Sequence, residues 1–155
     1  GTFRRWYGNI VDVVDWENKG QEIKATGKAI IPSENRYFDE LISWNKISSG
    51  QMSVRYQPQG IIPGDASPFL HSTSQDHNII LYAMAMLNSK IAAAIVEVLS
   101  PTLNFEVGNI AEIPVAVDAS AQARVITTVD SCVQITRNEW DSYETSWDFK
   151  RHPLV

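Results

Sequence analysis

Between Ile42 and Tyr56, two short aromatic and β-branched runs flank a polar stretch that carries Lys46, Ser48, Ser49, Gln51, Ser53 and Arg55. Two cations, three hydroxyls and a carboxamide so close together supply donors suited to phosphate oxygens and to the edges of bases. A second cluster, Arg4-Arg5-Trp6-Tyr7, joins positive charge to stacking surface, a pairing that serves single-stranded or extruded nucleic acid. Each cluster also has a plain structural reading. In the first, Trp44, Ile47, Val54 and Tyr56 pack inward while Lys46 and Arg55 are outward-facing strand charges. In the second, Trp6 and Tyr7 are core residues with solvated arginines beside them. Residue types alone leave both readings open.

Other chemistry is poorly supplied. Neither Gly-x-Gly-x-x-Gly nor Gly-x-x-x-x-Gly-Lys-[Ser/Thr] occurs, so the nucleotide loop of a methyl or phosphoryl transferase is missing, and there is no Gly-x-Ser-x-Gly elbow. His71, His77 and His152 lack the paired spacing of a zinc site. Asp12, Asp15 and Glu17 could form a carboxylate pair for acid/base work, as in a small hydrolase, but on a strand they alternate with apolar residues as a solvated face would. Cys132 is the single cysteine, which excludes an internal disulfide and a cysteine metal cluster, and makes a reducing cytoplasm the default location.

The elements that must position these residues belong to one domain's worth of chain. At 155 residues, with 44% hydrophobic and 20% charged content, the chain can remove roughly 70% of its unfolded surface from water. Its start, Gly-Thr-Phe-Arg-Arg, has no initiator Met and no basic-then-apolar leader, and reads as a piece of a longer protein. The net charge of −5 argues against binding nucleic acid by bulk electrostatics. The charge is uneven, however: residues 1–60 hold eight Lys or Arg against seven Asp or Glu, and residues 61–155 five against eleven. A polyanion should meet the N-terminal part and bind it weakly without a neighbouring module.

The pattern predicts an α+β fold: a mixed, largely antiparallel sheet with a long buried helix over about 79–99 and a second helix over about 120–136. Residues 10–14 and 29–31 read as strands, Glu17 to Gly20 as a turn, and Ser33 to Ile42 as a short helix or turn. Residues 42–56 read as a hairpin turning at Ser48-Ser49-Gly50, the stretch at 60–62 as short or at an edge, and 63–78 as loop. Asp76 or Asn78 is placed to cap the long helix, and Ser100-Pro101 to end it. That helix is apolar enough for a membrane span, but Asn88-Ser89-Lys90 at its middle favours a soluble core helix, since a mid-span lysine costs about 2.5 to 3.5 kcal/mol. Residues 103–108 alternate like a strand, and 110–117 should be extended. Residues 1–117 form one α+β unit, and 118–155 a C-terminal helix and aromatic tail that packs on it or on sequence outside the chain.

The order of several segments adds a resemblance. They are Arg-Trp-Tyr-Gly-Asn from Arg5, Ile-Ser-Trp-Asn-Lys-Ile-Ser-Ser-Gly from Ile42, Leu-Asn-Ser-Lys-Ile from Leu87, Pro-Thr-Leu-Asn-Phe-Glu-Val-Gly-Asn-Ile-Ala-Glu-Ile-Pro-Val from Pro101, and Glu-Trp-Asp-Ser-Tyr-Glu-Thr-Ser-Trp-Asp-Phe from Glu139. Together they resemble the C-terminal target-recognition region of large adenine-specific DNA methyltransferases of the PglX type. These belong to BREX phage-defence systems and are related to type IIG restriction-modification methylases with a TaqI-like specificity domain. The likeness covers nearly the whole chain, although no single segment is a catalytic signature.

In such proteins a preceding catalytic domain carries the S-adenosylmethionine loop and an [Asn/Asp]-Pro-Pro-[Tyr/Phe] motif. This sequence has no Pro-Pro pair, so no catalytic residue carries over. The resemblance implies a cytoplasmic DNA target-recognition fragment, not an enzyme by itself, that reads duplex DNA for a separate domain that extrudes and methylates adenine N6. It implies no cofactor and no metal here, S-adenosylmethionine in the parent's catalytic domain, double-stranded DNA as partner and no membrane. By residue type, Arg4, Arg5, Lys46 and Arg55 are assigned to phosphates or guanine, Ser48 and Ser49 to the DNA backbone, and Gln51 to adenine. The alternative is a protein–protein interaction module of the same defence system, using the aromatic tail and the acidic half.

Overall fold

Leu41–Trp44 (β1) is the strand on which the rest is assembled. In the computed structural model, which describes residues 3–48, 50–64, 66–100 and 104–155, β1 lies between Val54–Gln57 (β2) and Phe69–His71 (β3). Both pairings are antiparallel, with Ser43 opposite Arg55 and Trp44 opposite Val54 on one side, and Leu41 opposite His71 on the other. The protein is therefore α+β with an antiparallel sheet, as its pattern predicts.

All four β1 residues are buried, Ser43 included. A strand buried on both faces shows no alternation, so Leu-Ile-Ser-Trp reads as easily as the end of a helix. Of the short helix or turn expected from Ser33, the turn is what forms: one 3-10 turn at Glu34–Arg36, after which the chain turns through Phe38 at φ 71° into β1. The expected hairpin forms, with a longer connection than a tight Ser-Ser-Gly turn: β1 ends at Trp44 and β2 begins at Val54. Ser49, in that connection, lies outside the described residues.

The predicted strands at 10–14 and 29–31 do not form. Val11, Val13, Val14 and Ile30 are exposed and outside any strand, because β-branched composition cannot make a strand without a partner to pair with. Glu17 to Gly20 does turn: Asn18, Lys19 and Gly20 have consecutive left-handed φ values of 49°, 58° and 69°, and lead into the right-handed part of Glu17–Ala25 (α1). β3 arises within the stretch read as loop.

The long apolar helix is two helices, His77–Leu87 (α2) and Lys90–Leu99 (α3), bent by 67° at Asn88-Ser89. Asp76 caps α2 by accepting from the Asn78 amide at 2.8 Å, and Ser89 caps α3 by accepting from the Ala92 amide at 3.0 Å. The side chain of Asn88 leaves the helix to accept from the Val54 amide and donate to the Val54 carbonyl, both at 3.0 Å. It thereby occupies the edge of β2 as a neighbouring strand would. Among the described residues no single helix is long and apolar enough to cross a membrane.

α2 packs over β1 and β2 on its inner side and against Gln122–Trp140 (α5) on the other. Ile80, Leu81 and Met84 of α2 meet Ile42, Trp44 and Val54 of the sheet, and Val129, Val133 and Trp140 of α5, in one core. Each fully buried apolar side chain there contributes about 1.5 to 3 kcal/mol. Val107–Ala111 (α4) replaces the end of the strand expected at 103–108, of which residue 103 lies outside the described residues; Asn104 does bridge to Ile47 in antiparallel fashion. α5 runs a turn past its expected end to bury Trp140, while Ile135 faces outward. The tail returns to the N-terminal segment, where the Trp147 indole donates to the Val11 carbonyl at 3.0 Å.

Candidate nucleic-acid interface

The two cationic stretches, far apart in sequence, meet at β2. The Trp6 amide donates to the Val54 carbonyl at 3.0 Å and the Tyr56 amide to the Trp6 carbonyl at 2.8 Å, so the N-terminal segment lies parallel to β2 opposite Arg55. The Tyr7 amide donates to the Arg5 carbonyl at 2.9 Å across Trp6, whose φ is 73°. This is the γ-turn of positive φ, a strained form that costs about 1 to 3 kcal/mol and persists where surrounding contacts enforce it.

The turn sends the two arginines apart. Arg4 pairs with Glu139 at 2.6 Å and stacks over Trp140, its guanidinium carbon 4.9 Å from the ring centre. Gly8, at φ 111°, allows that approach, since a Cβ there would stand 2.9 Å from the same ring. Arg5 goes to the hairpin side, where it donates to the Gln51 side-chain oxygen at 3.0 Å and lies 5.4 Å from the Phe3 ring centre. Its Nε is buried without a partner among the described residues.

On the hairpin, Lys46 is half-buried and 3.6 Å from Glu106, while its backbone is held by the amide of Phe105 and the carbonyl of Ala66. The Ser48 hydroxyl accepts from the Gly50 amide at 3.2 Å, and Gln51 is exposed. Arg55 is the exception. At 3% exposure it donates to the Asn45 side chain at 2.6 Å and to the Arg4 carbonyl at 3.5 Å, and burial pushes its guanidinium below its ordinary pKa. Lys46, Ser48, Gln51, Arg4 and Arg5 thus retain outward surface, whereas Arg55 is enclosed beneath the N-terminal segment.

Spacing gave no sign of one constellation. Glu40 accepts from the Tyr56 hydroxyl at 2.6 Å and touches the His77 ring, which meets Tyr56 edge-on with centroids 6.0 Å apart. Burial, and then the bond to Glu40, push the Tyr56 phenol well above its usual range. The three residues come from the approach to β1, from β2 and from the start of α2, so only the folded sheet assembles them. Asp12, Asp15 and Glu17 are exposed, with Asp15 accepting from the Glu17 amide at 3.1 Å, a local turn contact. No group of three or more His, Cys, Asp or Glu among the described residues could hold a metal ion.

This α+β chain, with its cationic and aromatic edge, is similar from end to end to segments of adenine-specific methyltransferases. It is 37% identical to a stretch of the adenine-specific methyltransferase PglX of Lacticaseibacillus casei (strain Zhang), and 28% identical to one of the adenine-specific methyltransferase BrxX of Escherichia coli O9:H4 (strain HS). Both matches cover 100% of the chain, which spans 13% and 12% of the length of these curated relatives. No family model matches the chain. The resemblance to PglX-type methyltransferases read from the order of segments therefore holds along the full chain.

Proposed function

We propose that the chain is the DNA target-recognition part of an S-adenosylmethionine-dependent adenine-N6 methyltransferase of a bacterial phage-defence or restriction-modification system. It holds duplex DNA in register for a catalytic domain elsewhere in the parent polypeptide and does not methylate by itself. The observation that supports this reading is the joining of the Arg4–Tyr7 cluster to the hairpin by the Trp6–Arg55 bridge and the Arg5–Gln51 hydrogen bond, in a chain similar throughout to adenine-specific methyltransferases. None of the glycines with positive φ (8, 20, 27 and 60) stands between a strand and the start of a helix, where a nucleotide loop would place one. No catalytic step is therefore assigned to these residues.

In this reading Arg5 and Lys46 meet phosphates, Ser48 supports the backbone contact, and Gln51 reads an adenine edge. Arg4 extends the phosphate contacts, and Arg55 holds the N-terminal segment against β2. Titration of a labelled duplex at low salt tests it. The double variant Arg5→Ala, Lys46→Ala should weaken binding about tenfold or more. Equal affinity in wild type and variant would defeat the interface.

A second reading has its own observation. On α3, Ile91 and Val98 are 69% and 80% exposed on one face, an uncovered apolar stripe that suits a protein partner in the same defence system. Capture of such a partner that survives high salt, with no binding to duplex, would favour it.

A further inference from the structure

Between the hairpin connection, the N-terminal segment and α3 runs a groove of about 690 Å³, within the size range of small-ligand sites. Its floor is apolar: Met52, Val96 and Phe105 are all core residues. Its rim is polar. Arg5 and Gln51 stand on one wall, and Lys90, at the start of α3, on the other, with Glu97 two turns further along. The Ala93 and Ala94 side chains leave the helix wall open between them.

These features match a flat, apolar-faced ligand with hydrogen-bonding edges and an anionic tail. A floor of sulfur, aliphatic and aromatic surface accepts the face of a heterocycle. Gln51 presents a carboxamide that can both donate and accept, and its bond to Arg5 lies at the exposed rim, where a ligand can replace it. Arg5 adds a buried Nε with no partner among the described residues, a donor that a ligand can satisfy. Lys90 has no carboxylate within 4.0 Å among the described residues and can meet a phosphate across the groove.

Resting on the DNA reading above, we propose that this groove receives one unstacked nucleotide of the bound DNA. The base lies on Met52 and Phe105, its edge faces Gln51, and its flanking phosphates face Arg5 and Lys90. The hairpin then grips the duplex beside a nucleotide that has left the stack, rather than only tracking a continuous helix. Removing a base from the stack is least costly where it has no pairing partner.

The test compares two oligonucleotides of the same sequence, one a matched duplex and one carrying a single bulged 2-aminopurine. Wild-type protein should bind the bulged duplex about tenfold more tightly, the worth of one stacked base, with a change in 2-aminopurine emission on binding. Ala94→Trp, at an exposed position on the helix wall, should abolish that preference and leave matched-duplex affinity as it was. Lys90→Ala, which adds no bulk, should reduce the preference in the same direction. Equal affinity of wild type for the two duplexes, or a preference intact in both variants, overturns the groove assignment while the duplex-binding reading stands. Failure to bind either oligonucleotide overturns that reading and this one with it.

Discussion

Arg55 and Lys46 are both hairpin cations, yet they stand in opposite surroundings. Lys46 keeps 39% of its side chain exposed beside Glu106, whereas Arg55 is enclosed with Asn45 and the Arg4 carbonyl as hydrogen-bond acceptors. An exposed pair at 3.6 Å contributes little, so Lys46→Ala should change unfolding free energy by less than about 1 kcal/mol. Arg55→Ala removes buried stem packing and charge-assisted hydrogen bonds, and should cost about 1.5 to 3 kcal/mol. Urea denaturation of the two variants checks this, and equal midpoints would refute the difference in burial. A loss of DNA binding on changing Arg55 would accordingly report on folding as much as on contact. The sequence marked both residues as cations of a polar hairpin. It did not show which one faces inward, because that depends on Trp6 closing over β2 from a distant part of the chain.

At the scale of elements, the break between α2 and α3 carries the most structural information. From Ile79 to Leu99 the sequence is apolar nearly all round, so helical periodicity runs on without interruption and suggests one rod. Asn88 and Ser89 were legible as polar residues in an apolar run, but their work lies elsewhere: Asn88 completes the hydrogen bonding of Val54, and Ser89 starts a new helix. The edge of β2 that Asn88 covers would otherwise leave the Val54 amide buried without an acceptor. Asn88→Leu improves local helix propensity yet should destabilise the protein by about 1 to 3 kcal/mol through that orphaned amide. Thermal unfolding with amide exchange at Val54 is the measurement; a variant as stable as wild type, with Val54 still protected, would show the bonds to be incidental. The hairpin was legible for the opposite reason. Its strands are short, aromatic and β-branched on either side of a glycine, so local chemistry marks the hairpin, while its strand ends and β3 depend on pairing with distant residues.

The whole molecule is acidic, and it binds up much of its own positive charge. Arg4 is held by Glu139, Lys46 by Glu106, and Arg137 by Asp141 and Asp148, all within 4.0 Å. In the proposed complex, phosphates must displace Glu139 and Glu106 from Arg4 and Lys46, and the surplus cations beside them are few. Duplex binding by this chain alone should accordingly be weak and only moderately sensitive to salt, with a slope of log K against log salt near −2 to −3, about what two or three neutralised phosphates give. The same reasoning specifies a gain. Glu106→Gln together with Glu139→Gln frees both cations without removing either, so the double variant should bind matched duplex more tightly at low salt. Its slope should stay near −2 to −3, because the same cations meet the same phosphates and only the competition from Glu106 and Glu139 is removed. Titrations at several salt concentrations measure both quantities at once. An affinity unchanged from wild type at low salt would mean that Arg4 and Lys46 do not face the DNA, and the interface would have to be sought on another face of the molecule.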